Sequence, residues 1–268
     1  MNEGYLNPMP RVVAHRGDSK HFPENTLPAF LSAVKMGIDI VETDVHLTSD
    51  NIIIIWHDNS LERNTDGSGT IEEHTYQELL KYDAGYSFSH DGGITFPFRG
   101  KGIKLCTLEE ALLECPNQRF NIDLKTKQSG IVEEFVRIIR KHKAESRVCC
   151  ASFRLTNLKA IRKIAPDILT SITTIEVLSL LLKQKFHILP KILAHGRKII
   201  FQVPVAQYGL KIITPSFVKE MHKRNAVIMV WTINEEKEMR RLFELGVDAV
   251  MTDDPTTVIK VATSMNIR

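Results

Sequence analysis

The sequence lacks the long apolar runs, paired cysteines and charge excess that mark several classes of protein. None of the apolar stretches in its 268 residues reaches the ~18–20 residues that cross a membrane, so no integral membrane segment is expected. The net charge is only +3, which gives no reason to expect a nucleic-acid partner. Residues 1–10 have neither the basic start nor the apolar core of a secretory signal. The four cysteines show no zinc spacing and are expected to be reduced thiols of a cytoplasmic protein.

Short apolar runs alternate with helical patterns along most of the chain. Most of these runs are rich in β-branched residues and almost continuously apolar, as in strands buried on both faces of a parallel sheet. Strand–helix alternation over this length predicts an α/β fold, a (β/α)₈ TIM barrel of the usual ~250 residues. A doubly wound open sheet is the alternative, with less support because no glycine-rich phosphate loop follows the first strand. The predicted strands are 12–15, 40–44, 52–57, 120–125, 148–152, 169–173, 199–203, 227–232 and 249–252.

Two regions interrupt this alternation. Only Thr48-Ser49-Asp50-Asn51 separates the second and third strands, so we expect a hairpin that distorts the barrel there. A two-residue turn in that hairpin would place Glu42 opposite His57. Residues 59–105 have little periodicity and are predicted to be a small inserted subdomain within a single domain over residues 10–268.

Several helix ends are legible in the sequence. Asn25, Thr214 and Asn234 are candidate N-caps. Thr107 and Glu110 have the spacing of a capping box. The basic stretch 183–198 is interpreted as a solvated surface.

Polar side chains lie at or near the carboxyl ends of several predicted strands, where barrel enzymes place their sites. Acidic residues within otherwise apolar runs would be costly without a partner, which favours a functional cluster over isolated structural residues. The candidates are His15, Arg16, Glu42, Asp44, His57, Asp123, Lys125 and Trp231.

The residue types in this set point to phosphodiester chemistry. The three carboxylates of Glu42, Asp44 and Asp123, without a sulfur ligand, favour one hard divalent cation, Mg²⁺ or Ca²⁺. Arg16 and Lys125 supply fixed positive charge for a phosphate. Two histidines, His15 and His57, can act as general acid and general base near neutral pH.

With these residues in place, the sequence resembles the glycerophosphodiester phosphodiesterase family. The matching motifs occur in the family's order from residue 12 to about residue 258. They are His15-Arg16-Gly17, Pro23-Glu24-Asn25-Thr26, Glu42-Thr43-Asp44-Val45, Thr48-Ser49-Asp50, His57-Asp58, Trp231-Thr232-Ile233-Asn234, Gly246-Val247-Asp248 and Thr252-Asp253-Asp254-Pro255.

The resemblance implies a barrel enzyme that hydrolyses glycerophosphodiesters to an alcohol and sn-glycerol 3-phosphate. It implies catalysis by His15 and His57, phosphate binding by Arg16 and Lys125, and a metal held by three acidic residues, Glu42, Asp44 and Asp123. It also implies that Trp231 packs against the glycerol and that the inserted segment caps the pocket. Position 123 is Asp where the family usually has Glu, and position 106 is Cys where it commonly has Pro. The shorter side chain at position 123 implies either that the metal is coordinated there through water or that the metal preference differs from that of the family.

Two other functions stay open at this point. One is a lysophospholipase D that uses the same site on a diester bearing an acyl chain. The other is a catalytically silent phosphate-binding protein on the same fold. For either kind of phosphodiesterase, the expected partner is a small-molecule substrate. The chain is expected to be a monomer or a homodimer.

Overall fold

The framework of the protein consists of β-strands. The structure is a computed structural model that describes residues 4–126, 128–185, 198–207 and 209–268, and these residues form eleven strands. All nine predicted strands occur, with ends shifted by a few residues at most. A short hairpin of two further strands, β8 and β9, had not been predicted. The strands are β1 (Val12–His15), β2 (Ile40–Leu47), β3 (Ile53–Ile55), β4 (Arg119–Leu124), β5 (Val148–Ala151), β6 (Leu169–Thr170), β7 (Ile199–Val203), β8 (Ala206–Gln207), β9 (Leu210–Lys211), β10 (Ala226–Val230) and β11 (Ala249–Thr252).

Eight of these strands run parallel in the order β6-β5-β4-β2-β1-β11-β10-β7. A bridge between Ser171, just after β6, and Ile200 on β7 joins the two ends of this order, so the sheet forms a nearly closed barrel. The predicted α/β barrel is therefore confirmed. Because every barrel strand points the same way, the carboxyl ends of all eight open onto one rim.

The described residues form nine α-helices, of which the first eight lie between strands and the last follows β11. Thr107 caps α3 through the predicted capping box, in which Glu110 donates its N–H to Thr107 and accepts the Thr107 N–H. Thr214 caps α7 as predicted. The helices are α1 (Leu27–Lys35), α2 (Tyr76–Leu79), α3 (Leu108–Glu114), α4 (Ile131–Lys141), α5 (Leu155–Ile164), α6 (Thr174–Lys185), α7 (Pro215–His222), α8 (Glu236–Glu244) and α9 (Pro255–Ser264).

Two predicted N-caps have other roles, and those predictions were wrong. Thr26, not Asn25, stands at the N-cap of α1. Asn25 has a left-handed backbone (φ 58°) and its amide donates to Asp44 instead. Asn234 likewise donates to Asp253, while α8 begins at Glu236.

The hairpin between β2 and β3 is present, but its predicted register is off by one residue. Val45 lies opposite Ile55, and the Thr48 N–H bonds to the carbonyl of Ile52. Asn51, in the left-handed region at φ 63°, lengthens the turn to three residues. Glu42 is therefore not opposite His57, which instead reaches the rim from the loop after β3.

Residues 59–105 pack largely on an apolar cluster of their own. It joins Leu61, Ile71, Leu79, Ala84 and Leu105 to Ile54 and Trp56, from β3 and the residue that follows it. The segment's regular structure is limited to one turn of 3-10 helix and the four-residue α2. The division of the chain into a barrel and an insertion stays a prediction.

None of the helices in the described residues is both long and apolar enough to cross a membrane. Most of the basic stretch 183–198 lies outside the described residues.

Candidate active site

All eight residues singled out in the sequence line one cavity of about 170 Å³ at the carboxyl ends of the barrel strands. They come from β1, β2, β4, the loop after β3 and the segment after β10, so the fold brings together residues more than 200 positions apart. Within the described residues, none of the segment 59–105 lines this cavity, and its capping role stays a prediction. Other lining residues include Asn121, Ser152, Phe153, Thr173, Gln202 and Met251.

His15 ends β1 and is held by a carboxylate from the other end of the chain. Its Nδ1 lies 2.7 Å from Oδ1 of Asp253, the residue after β11, and its Nε2 lies 3.9 Å from Oε2 of Glu42. Burial works against the charged form of His15, but Asp253 and Glu42 outweigh burial and raise its pKa. The contact with Asp253 fixes the ring so that Nε2 is the nitrogen left for chemistry.

His57 has a carboxylate on the same ring nitrogen. Its Nδ1 lies 2.6 Å from Oδ1 of the adjacent Asp58. Arg63, from the segment 59–105, donates from Nε to the other oxygen of Asp58. Each of the two histidines thus carries an aspartate on Nδ1 and leaves Nε2 free of any described partner closer than the 3.9 Å contact with Glu42.

Arg16 follows His15 with a left-handed backbone (φ 58°), a conformation whose cost is typical of functional sites. This turn directs its N–H to the carbonyl of Glu42 at 3.0 Å. Its Nη1 donates to Glu24 Oε1 at 2.9 Å, and its Nε lies 3.3 Å from Asp44 Oδ2. The buried Nε pairs with Asp44 by charge but makes no hydrogen bond to any described residue, so its N–H can still donate to an oxygen of a ligand.

Lys125 bridges two acidic residues in the cavity. Its ammonium lies 2.8 Å from Asp44 Oδ1 and 2.6 Å from Asp123 Oδ2. Burial favours neutral Asp44, yet Lys125 and Arg16 outweigh burial and lower its pKa to about 2. Asp44 is therefore a permanent anion between two cations.

At Glu42 and Asp123, burial and the nearby negative charge of Asp44 outweigh the neighbouring positive charges. Burial and the neighbouring Asp44 raise the pKa of Glu42 to about 7. Burial also raises the pKa of Asp123, and Lys125 offsets only part of this effect. Asp123 Oδ1 is buried without a hydrogen-bond partner in the described residues. These two side chains are acceptors that a further positive charge would stabilise.

The chemistry of this donor set fits a hard divalent cation. Glu42, Asp44 and Asp123 offer oxygen ligands only, and the orphaned Oδ1 of Asp123 is a coordination position that nothing described occupies. Within the described residues, however, no three histidine, cysteine or carboxylate side chains already stand together as a metal site. Lys125 lies between Asp44 and Asp123, so metal binding requires these side chains to rearrange.

The rest of the cavity is partly apolar. The Trp231 and Phe153 rings meet edge to face at 6.4 Å, and the Phe153 ring lies 5.4 Å from the Lys125 ammonium. Across the barrel, Asn121 and Gln202 exchange two amide hydrogen bonds of 2.6 and 3.2 Å. These groups can contact the neutral parts of a ligand.

Sequence reasoning gave no role to two residues that contact the histidines directly or through Asp58, namely Asp253 and Arg63. Asp253 lies in a motif named in the sequence analysis, but no role was predicted for it. The neighbouring Asp254 is the N-cap of α9, so helix capping does not account for Asp253. Arg63 had no signal of its own, since an arginine in an irregular segment is usually solvated.

The glycerophosphoryl diester phosphodiesterase family profile matches residues 15–257, almost the whole chain. The chain belongs to this family. A glycerophosphodiester phosphodiesterase from Bacillus altitudinis is 31% identical over 261 residues, which cover 96% of this chain and 100% of that protein.

Two further family relatives bear on the substrate. A phosphodiesterase from Oleispira antarctica, solved in complex with the product sn-glycerol 3-phosphate, is similar in structure with a TM-score of 0.76 and 26% identity. The similarity covers 97% of this chain and 99% of that one. A human lysophospholipase D is 27% identical over 265 residues, covering 92% of this chain and 84% of that protein.

Proposed function

We propose that this member of the family hydrolyses glycerophosphodiesters to an alcohol and sn-glycerol 3-phosphate, with His15 and His57 as general acid and general base. The observation that carries the proposal is the shared cavity, in which two histidines with free Nε2 atoms accompany two cations and three carboxylates. The product complex of the Oleispira antarctica relative supports the same substrate class.

The chain's own residues divide the work. Arg16 and Lys125 bind the non-bridging phosphate oxygens and offset the charge that grows as the phosphorus becomes five-coordinate. One histidine takes the proton of the nucleophile, and the other gives a proton to the departing alcohol oxygen. The nucleophile is water or the glycerol 2-hydroxyl; the second route passes through a cyclic phosphate, which phosphorus NMR would detect.

The proposal includes one divalent cation, Mg²⁺ or Ca²⁺, held by Glu42, Asp44 and Asp123. Bound there, the ion would add positive charge at the phosphate oxygens. Asp123 is one methylene shorter than the glutamate usual in the family, so we expect Asp123→Glu to change the relative activity with Mg²⁺, Ca²⁺ and Mn²⁺.

The direct test is turnover of a panel of glycerophosphodiesters by the purified protein, with a coupled readout of sn-glycerol 3-phosphate. We expect activity with added divalent cation, loss of activity in excess EDTA, and recovery when the ion is restored. Glu42→Gln should lower activity in a way that depends on the cation concentration. Glu62→Gln is the matched control, because Glu62 bonds to the Gly69 N–H outside the cavity.

Two results would contradict parts of this proposal. Full activity in excess EDTA would remove the metal requirement. Tight binding of the diesters without turnover, with every cation tried, would favour the silent phosphate-binding protein.

Lysophospholipase D activity is the second candidate. Phe153 lines the mouth of the cavity beside Trp231 with 57% of its surface exposed, an apolar contact available to an acyl chain. The human relative named for this activity is consistent with it. Glycerophosphocholine and lysophosphatidylcholine should be assayed side by side with wild type and Phe153→Ser, since the lipid substrate should lose more affinity than glycerophosphocholine in the variant.

A further inference from the structure

Arg63 lies in the inserted segment, outside the cavity, yet it binds acidic residues on two different loops of the rim. Its Nη2 and Nη1 donate to the two oxygens of Glu24, at 2.6 and 3.1 Å. Its Nε donates to Asp58 Oδ2. All three nitrogens of the guanidinium are therefore used, in the planar fork geometry that only arginine offers.

Each acidic partner of Arg63 also binds a residue of the proposed active site. Glu24 Oε1 accepts from Arg16 Nη1 at 2.9 Å, and Asp58 Oδ1 lies 2.6 Å from His57 Nδ1. A continuous chain of charged contacts thus runs from Arg16 through Glu24, Arg63 and Asp58 to His57. It joins the residue that would bind the phosphate to one that would transfer a proton.

The charges along this chain support each other. Burial alone would raise the pKa of Glu24, but the hydrogen bonds from Arg63 and the charge of Arg16 outweigh burial and lower the pKa. Arg63 and His57 likewise outweigh burial at Asp58 and lower its pKa. Both carboxylates are therefore anions when they orient their partners. Without Arg63, Glu24 would still contact Arg16 and Asp58 would still contact His57. The two pairs would no longer be joined to each other.

We propose that Arg63 is a positioning residue that holds Arg16 and His57 in register on the same substrate phosphate. Arg63 does not line the cavity and so acts through Glu24 and Asp58 and not by contact with substrate. The inserted segment then contributes to catalysis by aligning two loops of the barrel. This inference rests on the proposed function, and it predicts a joint effect on ligand binding and on turnover.

The test compares Arg63→Met with wild type in the full chain with divalent cation present. We expect kcat for glycerophosphocholine to fall roughly 10- to 100-fold, because misplacing a catalytic group by about 1 Å can cost ~10²-fold. We also expect binding of sn-glycerol 3-phosphate, measured by calorimetry, to weaken by about tenfold. Arg63→Lys keeps the charge but not the fork, and should recover neither property fully.

Arg99→Met is the matched control. Arg99 is an exposed arginine of the same segment that stacks on the Tyr86 and Phe96 rings, with its Cζ 4.1 and 3.7 Å from their centroids, and it touches none of the site residues. It should stay within twofold of wild type. A thermal scan of each variant separates loss of function from loss of fold.

A combined set of variants tests the link itself. With Arg63 present, the effects of Glu24→Gln and Asp58→Asn on kcat/KM should be less than additive, since either one breaks the chain. In the Arg63→Met background the two effects should become independent.

Three outcomes would overturn the inference. They are an Arg63→Met variant within twofold of wild type, a variant whose only change is a lower melting temperature, and a variant that loses kcat while its affinity for sn-glycerol 3-phosphate is unchanged. Full recovery by Arg63→Lys would likewise rule out the fork geometry. If wild type hydrolyses none of the diesters, the proposed function fails, whereas the calorimetric comparison still tests the role of Arg63.

Discussion

The two histidine–aspartate pairs of the cavity have the same contacts but different origins. His15 and Asp253 are 238 residues apart and meet only because β1 and β11 are neighbours in the barrel. His57 and Asp58 are adjacent in sequence, follow a strand outside the barrel ring, and are tied down by Arg63. The His15 side chain is 17% exposed and that of His57 is 31% exposed. One pair is thus positioned by the pairing of β1 with β11 and the other by a local loop.

The largest effects should come from removing either ring. His15→Ala and His57→Ala should each reduce kcat by about 10²–10⁴-fold, because each removes one general acid or base. Circular dichroism and binding of sn-glycerol 3-phosphate should stay close to wild type. Activity of either variant near wild type would show that the pairs are not equivalent and that one histidine is structural.

Intermediate effects should separate the two pairs. Asp253→Asn should reduce kcat roughly 100-fold, because the enclosed His15 ring loses the carboxylate that fixes it and has little water to replace it. Asp58→Asn should cost about tenfold, since the more exposed His57 can find water. The comparison is made with kcat at saturating glycerophosphocholine.

Asp248→Asn is the control for this pair of variants. Asp248 accepts from His222, a histidine–aspartate contact outside the cavity, at 2.9 Å. Its substitution should leave kcat unchanged whatever it does to stability. Equal losses in Asp253→Asn and Asp58→Asn would mean that burial does not distinguish the pairs.

The smallest effect concerns stability and pH. Arg63 helps to lower the pKa of Glu24 and Asp58 from their ordinary values of 4.5 and 3.8. Lowered carboxyl pKa values stabilise the fold above those values and lose this contribution as pH falls through the folded-state pKa. The melting temperature of wild type should therefore exceed that of Arg63→Met by a few degrees (~2–4 °C) near neutral pH. The gap should close as the pH falls below about 4. A gap that is constant or widens in acid would contradict the charge argument.

The same contrast explains which features of the fold and the site could be predicted from the sequence alone. Barrel strands such as Ile199–Val203 were predicted with correct bounds, because a strand buried on both faces reads as a continuous apolar run. The polar residues at their ends were brought together by the parallel topology, as expected. The register of the hairpin was predicted wrongly, because a single left-handed residue, Asn51, shifts every pairing beyond it.

The partners of the proposed catalytic residues were harder to predict for a physical reason. Periodicity reports on burial along one strand, and it carries no information about which loop will face another across the rim. Periodicity therefore gives no indication of the roles of Asp253 and Arg63. Asp253 contacts a residue 238 positions away, and Arg63 lies in a segment without periodicity. Asn25 and Asn234 have the local pattern of helix N-caps, but their side-chain amides donate to the carboxylates of Asp44 and Asp253.

The bond between His15 and Asp253 also has a consequence for synthesis of the protein. Translation yields both histidines within the first quarter of the chain, whereas the aspartate for His15 follows the last strand of the barrel. A nascent or prematurely ended chain that lacks β11 therefore contains His57 with its partner and His15 without one. The contact that fixes the His15 ring can therefore form only after residue 253 has been made.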